Sequence, residues 1–376
     1  MPEILIIAGE TSGDLHAAAV ARELVGSGAP FDLVGVGGDA MRAAGVELLE
    51  HARRLAALGL VEVLRHVPRH YALLRRLRRR LSGGRVALVV LVDYPGFNMR
   101  LAAAARAARI PVLYYITPQV WAWGLARLEK LARTVTKAAV ILPFEEPLLR
   151  SHGVDATFVG HPLLDAAAAP PSHAEARRTL GLPVEGPVLA LFPGSRPQEI
   201  ARHLDDFVDA ARRLERRVDG LRVVVSAAPT VDIDPARCPY TVVRSASFTV
   251  LRAADAALCK SGTTTLEAAV ADCPLVVAYR TNVLTYAAAR RVLKIPYIGL
   301  VNVVAGREVA PEFVQGALRP GALASALLPL LDAATPERAR MLTGLREVKA
   351  SLGTPGAARR VASLALELVA HRERAA

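Results

Sequence analysis

Two carboxylates early in the chain stand where a proton could be moved. Asp93 follows the apolar run Val86–Val92 and opens Asp93-Tyr94-Pro95-Gly96-Phe97-Asn98. An aspartate at the carboxyl end of a buried strand has low dielectric behind it, which can raise its pKa and fit it for general-base work. An Asp capping the helix that starts near Phe97 would read the same way. Glu10 sits in Gly9-Glu10-Thr11-Ser12-Gly13-Asp14, directly after the run Ile4–Ala8. Two glycines and two small hydroxyl residues ahead of a helix give a tight turn, an N-cap and exposed N–H donors, with a plain capped helix as the alternative.

The second half carries residue types suited to an anion. Phe192-Pro193-Gly194-Ser195-Arg196 follows another apolar run and opens a helix near Gln198. Glycine lets a phosphate approach the backbone, serine donates and arginine adds charge, a set that suits a pyrophosphate. The spacing is not that of a Walker loop, and Gly35-Val36-Gly37-Gly38 does not make a dinucleotide fingerprint. Ser261-Gly262-Thr263-Thr264-Thr265-Leu266-Glu267 is a second loop of this kind, in which Glu267 could accept ribose hydroxyls or complete a capping box. Asn302 to Phe313, with Arg307, Glu308 and Glu312, sets polar groups in an apolar neighbourhood, as a binding rim or an interdomain contact does.

Such loops need strands to hold them. Ile4–Ala8, Phe31–Val36, Val86–Val92, Val112–Ile116, Ala138–Leu142 and Thr157–Val159 read as buried parallel strands, most followed by a helical pattern. After the Ala/Pro stretch Asp165–Pro171, read as a linker, a second series follows: Val188–Phe192, Arg222–Ser226, Thr241–Val243, Ala256–Leu258 and Leu275–Ala278. This rhythm predicts an α/β protein of two doubly wound, Rossmann-like domains facing a cleft, spanning 1–166 and 172–352. A tail of 353–376 is left, whose helix is free to return to the first domain. Ligands in such sheets bind beyond the carboxyl ends of the strands, where the loops above lie.

A net charge of +12 predicts attraction to anionic partners. Only five of the 47 basic residues are lysine (130, 137, 260, 294 and 349). The apolar stretch Leu55–Leu64 leads into Leu73-Leu74-Arg75-Arg76-Leu77-Arg78-Arg79-Arg80-Leu81, whose leucines share one helical face, so residues 55–81 hold either a core helix or a surface helix for anionic lipid. It has no interleaved aromatics, which counts against nucleic acid as the partner. Cys238, Cys259 and Cys273 make no C-x-x-C pair, and no signal peptide or spanning segment is read, so the expectation is a cytoplasmic protein.

Taken together the loops resemble the lipid-A-disaccharide synthase family over nearly the whole chain. The resemblance rests on Ala8–Asp14, Val92–Asn98, Tyr115–Trp123 with its Pro-Gln-Val-Trp-Ala-Trp, Leu142–Glu145, Phe158–Pro162, Pro193–Arg196, Ser261–Glu267 and Asn302–Phe313, in the family's order. It implies an inverting glycosyltransferase of the GT-B fold, with no cofactor and no metal. The implied substrates are UDP-2,3-diacylglucosamine and 2,3-diacylglucosamine 1-phosphate. It makes Asp93 the base, with Glu10 the second catalytic candidate. Ser195, Arg196, Gly262, Thr263, Thr264, Glu267, Asn302, Arg307 and Glu308 fall on the donor side, and Ser12, Asn98, Gln119 and Trp121 on the acceptor side. It also implies work at the inner face of the inner membrane, and leaves a homodimer open. Gly96 stands where many relatives have a second aspartate, which puts a two-carboxylate scheme at that loop in doubt. The competing reading is another GT-B enzyme of UDP-N-acetylglucosamine, a 2-epimerase or a lipid-linked transferase.

Overall fold

Alternate residues of the first strand face two different cores: Leu5 and Ile7 pack into one, Ile4, Ile6 and Ala8 into the other, all essentially without exposure. Side chains alternate across a strand, so a strand covered on both faces must be apolar throughout. The computed structural model describes residues 1–55, 60–119, 126–229, 231–282, 286 and 296–375. They fall into two units, Met1–Asp165 with Gly353–Ala376, and Ala166–Leu352.

In the first unit β1 (Glu3–Ala8), β2 (Asp32–Gly37), β3 (Glu47–His51), β4 (Val86–Val92), β5 (Val112–Tyr115), β6 (Lys137–Val140) and β7 (Ala156–Phe158) form one sheet in the order β3-β2-β1-β4-β5-β6-β7. Every pairing is parallel. The second unit repeats the plan with β8 (Val188–Phe192), β9 (Arg222–Ala227), β10 (Thr241–Arg244), β11 (Ala256–Lys260), β12 (Leu275–Tyr279) and β13 (Glu312–Val314), in the order β10-β9-β8-β11-β12-β13. Each order reverses once, at β1/β4 and at β8/β11. These are the topological switch points, where doubly wound sheets open a crevice at their strand ends.

Sequence periodicity missed β3 and β13. Both lie at sheet edges, are only partly buried, and so lack the continuous apolar run of a central strand.

The helix Leu60–Ser82 decides between the two readings of its leucines. Leu73, Leu74, Leu77 and Leu81 are buried against β4 and the helix Pro95–Ala107, whereas Arg75, Arg76, Arg78 and Arg79 are exposed. The leucine face is therefore core, each side chain contributing about 1.5–3 kcal/mol of burial, and the arginine face meets solvent together with Tyr71. Arg80 and Arg85 meet the buried Glu3 carboxylate at 2.7 and 3.0 Å. The C-terminal helix Ala357–Ala375 packs on Thr11–Gly26 and β4, and Arg372 donates to the carbonyls of Val86 and Ala87 at 2.6 and 2.8 Å. Among the described residues no helix is long and apolar enough to cross a membrane.

Candidate active site

Each switch point presents two loops side by side. In the first unit they are the loop after β1, with Gly9 and Glu10, and the loop after β4, with Asp93 and Tyr94. The chain turns sharply there: Asp93 and Tyr94 have φ of 48° and 51°, a left-handed pair outside glycine. Such backbone is uncommon for side-chain-bearing residues and needs surrounding bonds to hold it. Those bonds are present. The Asp93 N–H donates to Tyr115 O at 3.1 Å, and the Asp93 carbonyl accepts from Asn98 Nδ2 at 2.7 Å and from the Tyr114 hydroxyl at 2.8 Å. These bonds use the backbone of Asp93 and leave its side chain out of them.

Burial, and then the nearby Glu10 charge, push the Asp93 carboxyl above the usual aspartate range. Glu10 is exposed at the N-cap of Thr11–Gly26 and makes no cap hydrogen bond with its side chain. Tyr94 is pushed up to about 12 by burial and by Glu10, and its hydroxyl bonds His70. Asp14, from the same motif as Glu10, is spent on structure. Its carboxylate accepts the N–H groups of Gly38, Ala40 and Met41 at 2.6, 3.1 and 3.1 Å, tying the loop after β2 to the loop after β1.

The acceptor-side candidates separate. Ser12 and Gln119 are exposed; Asn98 is fully buried and acts as the strap on Asp93. Trp121 lies outside the described residues.

In the second unit the paired loops are Pro193–Arg196 after β8 and Ser261–Thr263 after β11. Ser195 and Arg196 are exposed at the start of the helix Pro197–Glu215, whose first turn brings in Glu199. Glu199 Oε2 accepts the Ser195 N–H at 2.9 Å, and Oε1 lies 2.9 Å from Lys260 Nζ and 3.5 Å from Arg196 Nη1. Burial pushes the Glu199 carboxyl up, but the Lys260 and Ser195 bonds and the two cations outweigh it and hold it below the usual range. Gly194, at φ 138°, has no room for a side chain, since a Cβ there would lie 2.5 Å from Glu199 Cβ.

Thr263 is exposed, Thr264 half-buried, and a Cβ built on Gly262 would lie 3.7 Å from Lys260 Nζ, in ordinary van der Waals contact, so the two are neighbours. Burial raises the pKa of Glu267, while a bond from Ser247 opposes the rise. Asn302 is fully buried and its amide is committed to the chain: Oδ1 accepts from Val309 and Ala310 N–H at 2.7 and 3.0 Å, and Nδ2 donates to Ala310 O and to Glu312 at 2.7 and 2.8 Å. Glu312 also takes the N–H groups of Ile298 and Gly299, both at 2.9 Å. Asn302 and Glu312 thus shape the loop that carries Arg307 and Glu308, which are both exposed, Arg307 paired with Glu347.

Lys260, Glu199 and Tyr94 escaped the sequence reading. The available signal was a lysine, scarce in this chain, ending an otherwise apolar strand.

Comparison with known proteins bears on both units. A profile of the lipid-A-disaccharide synthetase family matches residues 4–359. The lipid-A-disaccharide synthase of Myxococcus xanthus is 40% identical over 375 residues, 98% of each chain. That of Anaeromyxobacter sp. strain K is 43% identical over 369 residues, 96% of each chain. Among solved structures, a UDP-GlcNAc 2-epimerase from Neisseria meningitidis bound to UDP-GlcNAc matches with a TM-score of 0.63 at 12% identity, over 97% of this chain and 100% of that one. The calicheamicin glycosyltransferase matches with a TM-score of 0.60 at 17% identity, over 98% of both chains. These structural likenesses are of fold, the GT-B pairing of two doubly wound domains.

Proposed function

The chain belongs to the lipid-A-disaccharide synthase family, and we propose that Asp93 is the base of its reaction and that the β8 and β11 loops take the donor's diphosphate. The enzyme is a glycosyltransferase that forms the lipid A disaccharide. Its donor is UDP-2,3-diacylglucosamine and its acceptor 2,3-diacylglucosamine 1-phosphate. The acceptor's 6-hydroxyl oxygen attacks the donor's anomeric carbon from the face opposite UDP. A β-1,6 bond forms as the bond to the diphosphate breaks, and the electron pair leaves with UDP. Asp93 takes the hydroxyl proton, and Glu10 keeps the Asp93 carboxylate basic.

Ser195, Arg196, Gly262, Thr263 and Thr264 supply N–H groups, hydroxyls and charge to the diphosphate, where fixed donors stabilise developing anion better than water does. Glu267 or Glu308 takes the ribose or the base, with Asn302 and Arg307 shaping that side. Ser12 and Gln119 meet the acceptor. Acylated substrates bring the enzyme to the inner face of the inner membrane, and the exposed arginines of Leu60–Ser82 suit an anionic surface.

One observation carries the reading: a carboxyl with raised pKa, its backbone pinned at the first sheet's switch point. Incubating the pure enzyme with both substrates and weighing the products tests it. Tetraacyl disaccharide 1-phosphate and UDP in equal amounts are expected. An epimerised nucleotide sugar, or no coupled product, would overturn it.

A further inference from the structure

Lys260 ends a strand whose other residues, Ala256, Ala257, Leu258 and Cys259, are wholly buried, and its own side chain is only 17% exposed. A lysine in that position loses much of its hydration and needs a counter-charge. Glu199 provides it at 2.9 Å, and the Tyr279 ring lies 5.8 Å below the ammonium.

Glu199 is in turn held from several sides. The Ser195 N–H reaches one oxygen, Lys260 and Arg196 the other, and His203 Nδ1 bonds the Glu199 backbone carbonyl at 2.7 Å. His203 Nε2 accepts the Arg280 N–H at 2.8 Å, so Nδ1 carries the proton and the ring is neutral. Two cations and a backbone N–H therefore converge on one carboxylate, beside Gly262, at the switch point of the sheet. These are the donors that a phosphate oxygen would ask for, and the carboxylate has the charge and the oxygens to stand in for it.

We propose that Lys260 is a further donor-binding residue that neutralises the leaving diphosphate, and that Glu199 positions it and occupies its partners until the donor arrives. The proposal rests on the reading of the second unit as the nucleotide side. The diphosphate brings more negative charge than the single carboxylate, so Lys260, Arg196 and the Ser195 N–H turn from Glu199 to it. When the oxygen that joined the sugar to the diphosphate departs with its electron pair, Lys260 faces the added charge.

Titration calorimetry with UDP and with uridine separates the contributions. Wild type should bind UDP well and uridine weakly. Lys260→Gln should lower UDP affinity by roughly 10- to 100-fold, the loss of a charge-assisted contact, and leave uridine affinity alone. Lys260→Arg, which keeps the charge, should stay within several-fold of wild type and guards against a folding defect. Glu199→Gln should bind UDP as tightly as wild type or tighter, because a competitor has been weakened. A strut would give the reverse. UDP affinity unchanged in Lys260→Gln would overturn the role of Lys260 while leaving the nucleotide reading intact. Weaker UDP binding by Glu199→Gln would overturn the place-holding role. No UDP binding by wild type would overturn both assignments and the nucleotide reading with them.

Discussion

The Tyr94 ring occupies the space that a side chain at position 9 would need: a Cβ built on Gly9 falls 2.3 Å from Tyr94 Cδ1. The loop after β1 and the loop after β4 are thus in contact through a missing side chain and a ring. Tyr94 is also the neighbour of Asp93 and shares its left-handed backbone. Gly9→Ala must displace the ring and, with it, Asp93. A misplacement of about 1 Å at a reacting group can cost on the order of 100-fold in rate, and that loss is expected here. Circular dichroism should show the fold retained, since one overpacked methyl costs about 1–3 kcal/mol. Near-normal turnover in Gly9→Ala would mean that the Gly9–Tyr94 contact does not set the base.

Asp93→Asn removes the charge and keeps the shape. Asn tolerates the left-handed region as well as Asp does, and the backbone bonds from Asn98 and Tyr114 do not involve the carboxyl. Turnover should fall by roughly 10²- to 10⁴-fold with UDP affinity nearly intact. Stability should move the other way. The folded-state pKa of Asp93 is raised, so the stability linked to its proton is present below the unfolded value and lost as pH rises through the folded one. At neutral pH the wild type therefore holds a poorly solvated carboxylate that Asn lacks. Asp93→Asn should melt higher than wild type at pH 7, with the gap closing below about pH 4. A lower melting temperature at pH 7, or full activity, would remove Asp93 from the role of base.

The same shift has a kinetic face. A base must be deprotonated to act, so the acid limb of kcat/KM should lie above the ordinary aspartate range. Burial is the larger cause and Glu10 the second. Glu10→Gln removes only the second, and the limb should move to lower pH without reaching the value of a solvated aspartate. The readout is the position of the limb and not its height, because Glu10 is also a catalytic candidate. A limb that stays in place would show that the Glu10 charge is not felt at Asp93.

How much of this was legible in the sequence follows from where burial makes residues speak. The central strands are covered on both faces and stand out as apolar runs, and Glu10, Asp93, Ser195 and Arg196 follow such runs directly. The edge strands β3 and β13 are half-covered and left no comparable run. Leu73, Leu74, Leu77 and Leu81 showed a helical face, but a core and a membrane demand the same periodicity, and only packing chose between them. Lys260 reads as a strand end and Glu199 as the acidic first turn of a helix. Their ion pair joins a helix start to a strand end far apart in the chain, and no local pattern announces it. Asn302 falls on the donor side by resemblance alone; nothing in the local sequence signals that its amide bonds Val309, Ala310 and Glu312, and so shapes the loop of Arg307 and Glu308.

The motif Gly160-His161-Pro162 supplies a prediction about acid stability. His161 is buried in the first unit, accepts the Leu163 N–H with Nδ1, and is held down to about 4 by burial and by the neighbouring His16. A depressed histidine stays neutral in the fold while the unfolded chain takes up its proton below about pH 6.5. Its contribution is thus complete above that pH and lost as pH falls through the folded value. Between pH 7 and pH 5 the first unit should lose about 2 kcal/mol through this group alone. Denaturant melts at the two pH values should show a difference reduced by that amount in His161→Gln, which can still accept the Leu163 N–H. Equal pH dependence in the two proteins would show that His161 is not the group that titrates.

Where its side chains are described, Leu60–Ser82 has its leucine face in the core and exposes Arg69, Tyr71 and the four arginines Arg75, Arg76, Arg78 and Arg79, so docking by those four is electrostatic. An arginine near an anionic surface contributes about 1 kcal/mol, and salt screens it over roughly 10 Å at 0.1 M. Sedimentation with vesicles containing anionic lipid should therefore show binding that fades as salt rises from about 0.05 to 0.5 M. Vesicles of zwitterionic lipid alone should not bring the protein down. Replacing the four arginines by glutamine should cut anionic-vesicle binding by on the order of 10²- to 10³-fold and leave UDP affinity unchanged, since the helix belongs to the first unit. Binding that ignores salt, or that survives the four substitutions, would place the membrane contact on another surface.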